Sequence, residues 1–328
     1  MSTAILLINL GTPQAPTPAA LRRYLGEFLQ DQRVVEIPRL LWWPVLYGVI
    51  LNTRPGKSAA KYASIWTDRG SPLKAHTENQ AALLQQLLQQ RGHGDWRVDW
   101  AMRYGEPSVA ARLDQLCADG AERILIAPLY PQYAASTTAS CVDAVAAWTR
   151  KRRNLPELAF VRDCHEHPGY ISALAASVRE HWRSHGPLAD NDRLLLSFHG
   201  LPQRCVNKGD PYQAECLRSA ELLRQDLGLD EQQFLVSFQS RFGPEQWLQP
   251  YTEPTLVKLA SKGVRRVDVM CPGFVADCLE TLEEIAIECK SSFLAAGGET
   301  FHYLPCLNES PAWVATLADL AMARLAPR

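Results

Sequence analysis

Short runs of apolar residues alternate along the chain with longer segments in which apolar residues recur every three or four positions. The short runs predict buried strands of a parallel sheet, and the longer segments predict the helices that cover it. In the first half we predict strands at residues 5–10, 98–102 and 123–127. In the second half we predict strands at residues 193–198, 234–238, 266–270 and 301–304. This alternation is typical of an α/β protein.

The two halves resemble each other where these strands end. The matches are INLGTP (8–13) with SFHGLP (197–202), RYG (103–105) with RFG (241–243), and APLY (127–130) with CPGF (271–274). Glycine and proline mark most strand ends, so one match alone carries little weight. Three matches in the same order indicate a duplicated Rossmann-like unit. A long insertion, about residues 12–75, separates the first two strands, and we interpret it as a lid or lip.

Composition narrows the class of protein. The hydrophobic fraction is 47%, the charged fraction is 21% and the formal net charge is −1, as in an ordinary globular protein. No block of basic residues predicts a nucleic-acid surface, and no glycine-rich phosphate motif predicts a nucleotide. The nine cysteines include no CxxC pair, which favours reduced thiols and a cytoplasmic location. We expect no signal peptide, because a basic N-terminal segment is missing.

His199 is the first candidate for chemistry. It ends the apolar run LLLSF and is followed directly by Gly200. Ligands of open α/β sheets bind beyond the carboxyl ends of the strands, so a turn here would present the imidazole as a proton acceptor. A packed histidine bonded to the backbone remains an equally good interpretation.

An acidic segment, DCLETLEEIAIE at residues 277–288, is the second candidate. With an α-helical period, one face carries Asp277, Glu280, Glu284 and Glu288, and the opposite face is apolar. Like charges four residues apart destabilise a helix, and a divalent cation would reverse that repulsion. The pattern favours a metal path, with a solvated acidic face as the alternative. The motif DCHEH (163–167) resembles a metal motif too, but its polar surroundings favour a linker.

Aromatic and hydroxyl side chains cluster after the same predicted strands. They include Tyr130, Tyr133, residues 136–138 and Trp247. Such a set would hold a flat, apolar ligand with polar edges, although core packing explains any single member. Arg103 could pair with a carboxylate of the ligand or of the protein.

Together these segments resemble the ferrochelatase family, most closely its Gram-negative bacterial form, over nearly the whole chain. The resemblance lies in LLINLGTP (6–13), WTDRGSPL (66–73), MRYGEPS (102–108), PLYPQY (128–133), LLLSFHGLP (194–202), FQSRFGPEQWLQPYT (238–252) and VMCPGFVADCLETLEEI (269–285). It implies two Rossmann-like domains with parallel sheets flanked by helices and a porphyrin cleft between them. The implied domains are residues 1–160 with the lip insertion, residues 161–309, and a C-terminal helix at 310–328 that packs back on the first domain.

The resemblance also implies roles for single residues. His199 and Glu280 are the implied catalytic pair, on opposite sides of the cleft. His199, Glu280, Glu284 and Glu288 are the implied metal-handling residues. The implied porphyrin contacts are Ser71, Arg103, Tyr104, Tyr130, Tyr133 and Trp247. Many family members have a histidine where this chain has Cys278. No cysteine follows Cys306, so no [2Fe–2S] cluster is expected.

The implied reaction is insertion of Fe²⁺ into protoporphyrin IX, the terminal step of haem biosynthesis. Fe²⁺ is then a substrate, and no tightly bound cofactor is expected. We expect a cytoplasmic monomer without nucleic-acid partners. The apolar run at residues 40–51 is too short to span a bilayer and predicts a peripheral contact with the inner membrane. One alternative is a chelatase for a different tetrapyrrole or metal, for example one that inserts cobalt into sirohydrochlorin. Another is a non-catalytic haem- or metal-binding module.

Overall fold

The structure, a computed structural model, describes residues 2–325. It divides into two compact units: one holds the chain up to Asp163 and again from Val314, and the other runs from Cys164 to Trp313. Within the described range, each unit has a four-stranded, all-parallel sheet covered by helices. The predicted α/β class with two Rossmann-like domains is therefore confirmed.

The first unit contains the insertion predicted from the sequence. Its strands are β1 (Thr3–Gly11), β2 (Arg97–Tyr104), β3 (Arg123–Pro128) and β4 (Glu157–Phe160), in the order β2-β1-β3-β4. Its helices are α1 (Pro18–Leu29), α2 (Arg39–Val45), α3 (Leu51–Ile65), α4 (Pro72–Gln90), α5 (Val109–Ala118) and α6 (Ser140–Thr149). Two π-helical turns, Leu46–Ile50 and Ala135–Ala139, precede α3 and α6.

The second unit repeats this architecture. Its helices are α7 (Pro168–His185), α8 (Gln203–Asn207), α9 (Tyr212–Leu227), α10 (Thr252–Ser261) and α11 (Lys290–Ala295). Its strands are β5 (Arg193–His199), β6 (Phe234–Gln239), β7 (Arg266–Met270) and β8 (Thr300–Tyr303), in the order β6-β5-β7-β8. A π-helix, Glu280–Cys289, precedes α11, and α12 (Pro311–Leu325) follows β8.

The central strands are buried, as the continuous apolar runs predict. In β1 the residues from Ala4 to Ile8 are at most 1% exposed. Leu6 and Ile8 pack with Leu113 of α5 and Val145 of α6, so this face of the sheet is the core of the first unit. The sequence analysis missed β4, a half-buried edge strand of four residues with only the short apolar run LAFV (158–161).

The strand registers show that the two units correspond position by position. Asn9 pairs with Met102 in the first unit, and Phe198 pairs with Phe238 in the second. Arg103 therefore corresponds to Gln239. The sequence match of Arg103 with Arg241 is wrong by two residues, since β6 ends at Gln239 and Arg241 lies in the exposed loop that follows.

The glycine shared by the two units has a steric cause. A Cβ on Gly11, whose φ is +120°, would lie 1.9 Å from the carbonyl oxygen of Tyr104. A Cβ on Gly200 would lie 2.8 Å from the carbonyl oxygen of Gln239 and 3.2 Å from the ring of Trp247. In both units only glycine lets the end of the neighbouring strand come this close.

The insertion between β1 and β2 forms α1 to α4. Its lip segment, residues 40–51, exposes 88% of Leu40 and 68% of Leu41. Trp42 instead points inward: its Nε1 donates to the carbonyl of Leu29 at 2.7 Å, and its ring packs near Leu46. Every helix among residues 2–325 is too short or too polar to cross a lipid bilayer.

The last helix belongs mainly to the first unit. From Val314 onward its residues group with that unit, where Arg91 pairs with Asp319 at 2.6 Å and Arg123 donates to the carbonyl of Leu325 at 2.8 Å. The unit boundaries fall after residues 163 and 313. Residues 326–328 of the predicted C-terminal helix lie outside the described residues.

Candidate active site

His199 lies at the carboxyl end of β5, a central strand of the second unit. Its Nδ1 is 2.7 Å from the carbonyl oxygen of Gly200. A carbonyl can only accept, so Nδ1 carries the hydrogen and Nε2 keeps its lone pair. The ring is half-buried between Trp247 and Phe274, whose ring centroids lie 6.5 and 6.3 Å away. The imidazole is therefore oriented as a base with one free nitrogen.

The acidic segment forms a π-helix rather than the predicted α-helix. A π-helix closes i→i+5 hydrogen bonds and has more residues per turn, so a four-residue spacing stays near one line. The buried line is Thr281, Ile285 and Cys289. The glutamates Glu280, Glu284 and Glu288 form the adjacent line, which we name the glutamate stripe. Exposure rises along it, from half-buried Glu280 and Glu284 to exposed Glu288.

Glu284 is fixed by the residue that follows β6. The backbone N–H of Ser240 donates to its Oε1 at 2.7 Å, and the Ser240 hydroxyl donates to its Oε2 at 2.5 Å. Burial raises the pKa of Glu284 above its ordinary value, and repulsion from Glu280 adds to this, while Ser240 and the nearby His199 act in the opposite direction. A cation at this position would relieve the cost of holding the buried carboxylate.

Gln239 connects the end of β6 to the π-helix. Its Nε2 donates to the backbone carbonyl of Glu280 at 2.7 Å, and its Oε1 accepts from the hydroxyl of Ser197 at 2.7 Å. Because His199 and Gln239 are paired across β5 and β6, the same contacts fix the start of the glutamate stripe beside His199. The structure thus places His199, Glu280 and Glu284 near one another in the second unit, whereas the sequence analysis put His199 and Glu280 on opposite sides of the cleft.

Asp277 does not belong to the glutamate stripe, and its predicted place on that face is wrong. It is 6% exposed and accepts hydrogen bonds from Tyr303, from Asn308 at 2.7 Å and from the backbone of Cys306 at 3.3 Å. The carboxylate therefore anchors the loop after β8. Cys278 is also buried, and burial raises the pKa of its thiol, so the residue stays a neutral thiol.

In the first unit, Arg103 and Tyr104 converge on Asp31, which directly follows α1. Arg103 Nη2 lies 2.6 Å from Asp31 Oδ2, the Tyr104 hydroxyl donates at 2.8 Å and the Ser140 hydroxyl at 2.6 Å. Burial alone would raise the pKa of Asp31, but bonds from Ser140, the Arg33 backbone and Tyr104, with the charge of Arg103, lower it. Nothing in the sequence pattern singled out Asp31, because its side-chain partners lie 72 to 109 residues away.

The remaining predicted porphyrin contacts differ in accessibility. Tyr104 is 1% exposed and Ser71 is 3% exposed, so the structure gives no support to a direct contact at either position. Tyr133 is half-buried, with the Arg162 guanidinium 4.5 Å above its ring. The hydroxyl of Tyr130 and Nε1 of Trp247 are buried polar atoms without a hydrogen-bond partner. Such atoms are rare in folded proteins, and a bound water or ligand is one explanation for them.

Solved structures of chelatases share this fold. SirB from Bacillus subtilis, solved with Fe³⁺, has a TM-score of 0.59 at 11% identity, covering 99% of this chain and 96% of its own. CbiX, the terminal enzyme for sirohaem biosynthesis in denitrifying bacteria, has a TM-score of 0.54 at 17% identity, covering 98% and 99%. At these identities the likeness shows the fold alone, and the fold is chelatase-like.

Sequence comparison defines the family. The ferrochelatase family model matches residues 2–325. The ferrochelatase of Azoarcus sp. (strain BH72) is 65% identical over 315 residues, covering 96% of this chain and 85% of its own. That of Dechloromonas aromatica (strain RCB) is 61% identical over 320 residues, covering 98% and 87%. The chain therefore belongs to the ferrochelatase family: it is a metal chelatase that inserts ferrous iron into a porphyrin in haem biosynthesis.

Proposed function

We propose that the porphyrin is protoporphyrin IX and that His199 and Glu280 carry the insertion. The metal-free porphyrin then exchanges its two pyrrole protons for Fe²⁺, which yields protohaem and two protons. The iron is a substrate, so the reaction needs no resident cofactor. The orientation of His199 is the observation that supports the proposal. Its Nδ1 faces the carbonyl oxygen of Gly200, which leaves Nε2 to accept a proton.

The pyrrole protons are the main obstacle to insertion, because they point into the centre of the macrocycle. Binding energy that bends the ring would expose the nitrogen lone pairs to the metal. His199 Nε2 then accepts a pyrrole proton. Glu280 and Glu284 attract the incoming cation and drain protons along the glutamate stripe toward exposed Glu288.

Contacts with the porphyrin are proposed for Tyr130, Trp247, Arg103 and Tyr133. The Tyr130 hydroxyl and Trp247 Nε1 lack a hydrogen-bond partner, and the side chains of Arg103 and Tyr133 are partly exposed. Tyr104 would act indirectly, through Asp31, because its hydroxyl and the Arg103 guanidinium both bond to that carboxylate. Asp31 therefore sets the orientation of Arg103.

We also propose that the lip segment rests against a lipid surface, which would place the protein at the cytoplasmic side of the inner membrane. The large exposures of Leu40 and Leu41 support this, because a poorly soluble porphyrin is best exchanged where apolar side chains meet the bilayer.

A direct assay tests the choice of porphyrin. Purified protein is given Fe²⁺ under anaerobic conditions with either protoporphyrin IX or coproporphyrin III, and the loss of porphyrin fluorescence is followed. We expect kcat/KM for protoporphyrin IX to be about tenfold higher or more, a difference of ~1.4 kcal/mol in transition-state binding. Equal values, or a preference for coproporphyrin, would contradict the proposed substrate.

A further inference from the structure

Gln239, the last residue of β6, is connected to both members of the proposed catalytic pair. It is paired with His199 across β5 and β6, and its backbone carbonyl accepts from the N–H of Gly200 at 2.8 Å. The carbonyl of that glycine is the group that faces His199 Nδ1. On the other side, Gln239 Nε2 donates to the backbone carbonyl of Glu280 at 2.7 Å. One residue thus connects the candidate base with the start of the glutamate stripe.

The orientation of the Gln239 amide matters, because its two ends are chemically opposite. Nε2 donates to the Glu280 carbonyl and lies 3.4 Å from Glu284 Oε2. With the amide reversed, Oε1 would face both of these oxygens, and acceptors that face one another repel. The observed contacts therefore require the NH₂ group to point at the π-helix.

A chain of buried hydroxyl groups holds the amide in this orientation. Ser197 Oγ donates to Gln239 Oε1 at 2.7 Å and lies 2.8 Å from Thr252 Oγ1. Thr252 Oγ1 lies 2.9 Å from Ser237 Oγ. Because Oε1 can only accept, the single hydroxyl hydrogen of Ser197 points at it, and Thr252 must donate to Ser197. The thiol of Cys271, 3.6 Å from Oε1, adds a weak second donor to the same oxygen.

This chain of hydroxyls is enclosed in the core of the second unit. Ser197 and Ser237 are fully buried, Thr252 is 2% exposed and Gln239 is 3% exposed. The two serines are paired in register across β5 and β6, two residues before His199 and Gln239, so all four share one face of the sheet. A bonded buried chain favours a single arrangement of its groups, because each lost bond would leave an unpaired buried atom. Oε1 is therefore fixed by the core, and Nε2 is left to hold the π-helix.

We propose that Gln239 is a positioning residue for metal insertion, which holds Glu280 and Glu284 at a fixed distance from His199. This role rests on the function proposed above for His199 and Glu280. Gln239 contacts neither metal nor porphyrin in this role. Its amide fixes the first turn of the π-helix, and Ser197 keeps that amide from reversing. Reaction geometry is sensitive to such contacts, since a displacement of about 1 Å can cost about 100-fold in rate.

Ser197→Ala and Ser237→Ala form a matched pair that tests this role. Each removes one fully buried hydroxyl bonded to Thr252, so both should lower Tm by a similar amount. Of the two, only Ser197 bonds to Gln239. We expect Ser197→Ala to raise the KM for Zn²⁺ about 3- to 10-fold in steady-state insertion, and Ser237→Ala to change it less than about twofold. The Kd for porphyrin, from fluorescence quenching, should stay unchanged in both variants.

Gln239→Met removes the amide at a similar side-chain length. We expect it to lower kcat/KM for Zn²⁺ by about 10- to 100-fold, again with the porphyrin Kd unchanged. Because Ser197 acts through the amide, adding Ser197→Ala to Gln239→Met should cause no further loss. If Gln239→Met fails to fold, the two serine variants still decide the question, because each removes only one hydroxyl oxygen.

The positioning role is overturned if the two serine variants change the KM for Zn²⁺ equally, or if folded Gln239→Met keeps the wild-type kcat/KM. His199→Ala in the same assay separates this result from a failure of the proposed function. An inactive His199→Ala beside normal Ser197→Ala and Gln239→Met refutes the positioning role alone. Near-normal activity of His199→Ala refutes the catalytic role of His199, and with it the positioning role that rests on it.

Discussion

Replacing Glu284 with glutamine separates a glutamate stripe that handles metal from one that only shapes the fold. The substitution keeps the size of the side chain and one oxygen acceptor for Ser240. It removes a negative charge one helical turn from Glu280. Glu288→Gln is the matched control, because it makes the same chemical change on the same π-helix at an exposed position.

The expected effect follows from the spacing of the carboxylates. Four residues span about 6 Å along an α-helix axis and less along the wider π-helix, so this distance is an upper value for the rise between Glu280 and Glu284. A doubly charged ion at Glu280 would attract a carboxylate 6 Å away by ~5 kcal/mol at an effective dielectric constant of about 20. For Glu288, about 12 Å away in water, the same estimate gives less than ~1 kcal/mol.

Only part of this attraction should appear in a measured affinity. Burial raises the pKa of Glu284 and so opposes its ionisation, and glutamine retains a dipole. We therefore expect the apparent KM for Fe²⁺ or Zn²⁺ to rise by about 10- to 100-fold in Glu284→Gln and by less than about threefold in Glu288→Gln.

The stability of the variant should behave differently from its activity. The folded-state pKa of Glu284 is raised from 4.5, so its contribution to stability is lost as pH rises through the window between the two values. Glutamine has no such loss. At neutral pH, Tm of Glu284→Gln should therefore stay near that of the wild type, and the variant should lack this part of the decline above pH 4.5.

The assay combines steady-state metal insertion at varied metal concentration with melting curves from pH 4 to 8. Equal metal KM values in wild type, Glu284→Gln and Glu288→Gln would refute the reasoning. A large fall in Tm together with an unchanged KM would show that Glu284 serves only to hold Ser240.

Three further predictions test other parts of the site. His199→Ala should lower kcat by about 10²- to 10⁴-fold while porphyrin binding, measured by fluorescence quenching, persists; near-normal kcat would remove it from the mechanism. Asp31→Asn should cost about 2–4 kcal/mol in denaturant unfolding. The lowered pKa of Asp31 means that its stabilisation exists above its ordinary value of 3.8 and is lost as pH falls through the folded value, so the variant should lack this acid-side decline. Asp95→Asn, at an exposed position, should show neither effect. Leu40→Ser with Leu41→Ser should reduce co-sedimentation with liposomes and leave Tm unchanged, whereas undiminished sedimentation would contradict the membrane contact.

The central strands could be predicted from sequence because burial on both faces leaves a continuous apolar run. Seven of the eight strands within residues 2–325 were found in this way. The eighth, β4, is a half-buried edge strand of four residues, and its short apolar run LAFV (158–161) was not recognised as a strand. Trp42 shows a further limit at the lip: the predicted membrane contact covered the whole run 40–51, but a hydrogen bond to the carbonyl of Leu29 turns Trp42 inward.

The π-helix marks a second limit. Residues 280–289 carry an amphipathic pattern that fits an α-helix well enough, and no residue type specifies an i→i+5 ladder. The period nevertheless decides which side chains share a line. With the wider turn, Thr281, Ile285 and Cys289 share the buried line, and the predicted apolar residue Leu282 is only half-buried. Of the four residues predicted to share the acidic face, Glu280, Glu284 and Glu288 do share one line, and Asp277 does not.

The two units have equivalent strand ends, but only the second unit carries a candidate catalytic base at such a position. Leu10 occupies in β1 the position that His199 occupies in β5, because both directly precede the shared glycine. Arg103 occupies the position of Gln239, yet Arg103 bonds to Asp31 and Ser140, whereas Gln239 bonds to Ser197 and the carbonyl of Glu280. One scaffold thus provides the same backbone edge twice. The side chains placed on that edge decide that the second unit presents a base and an acidic stripe, while the first presents an anchored cation.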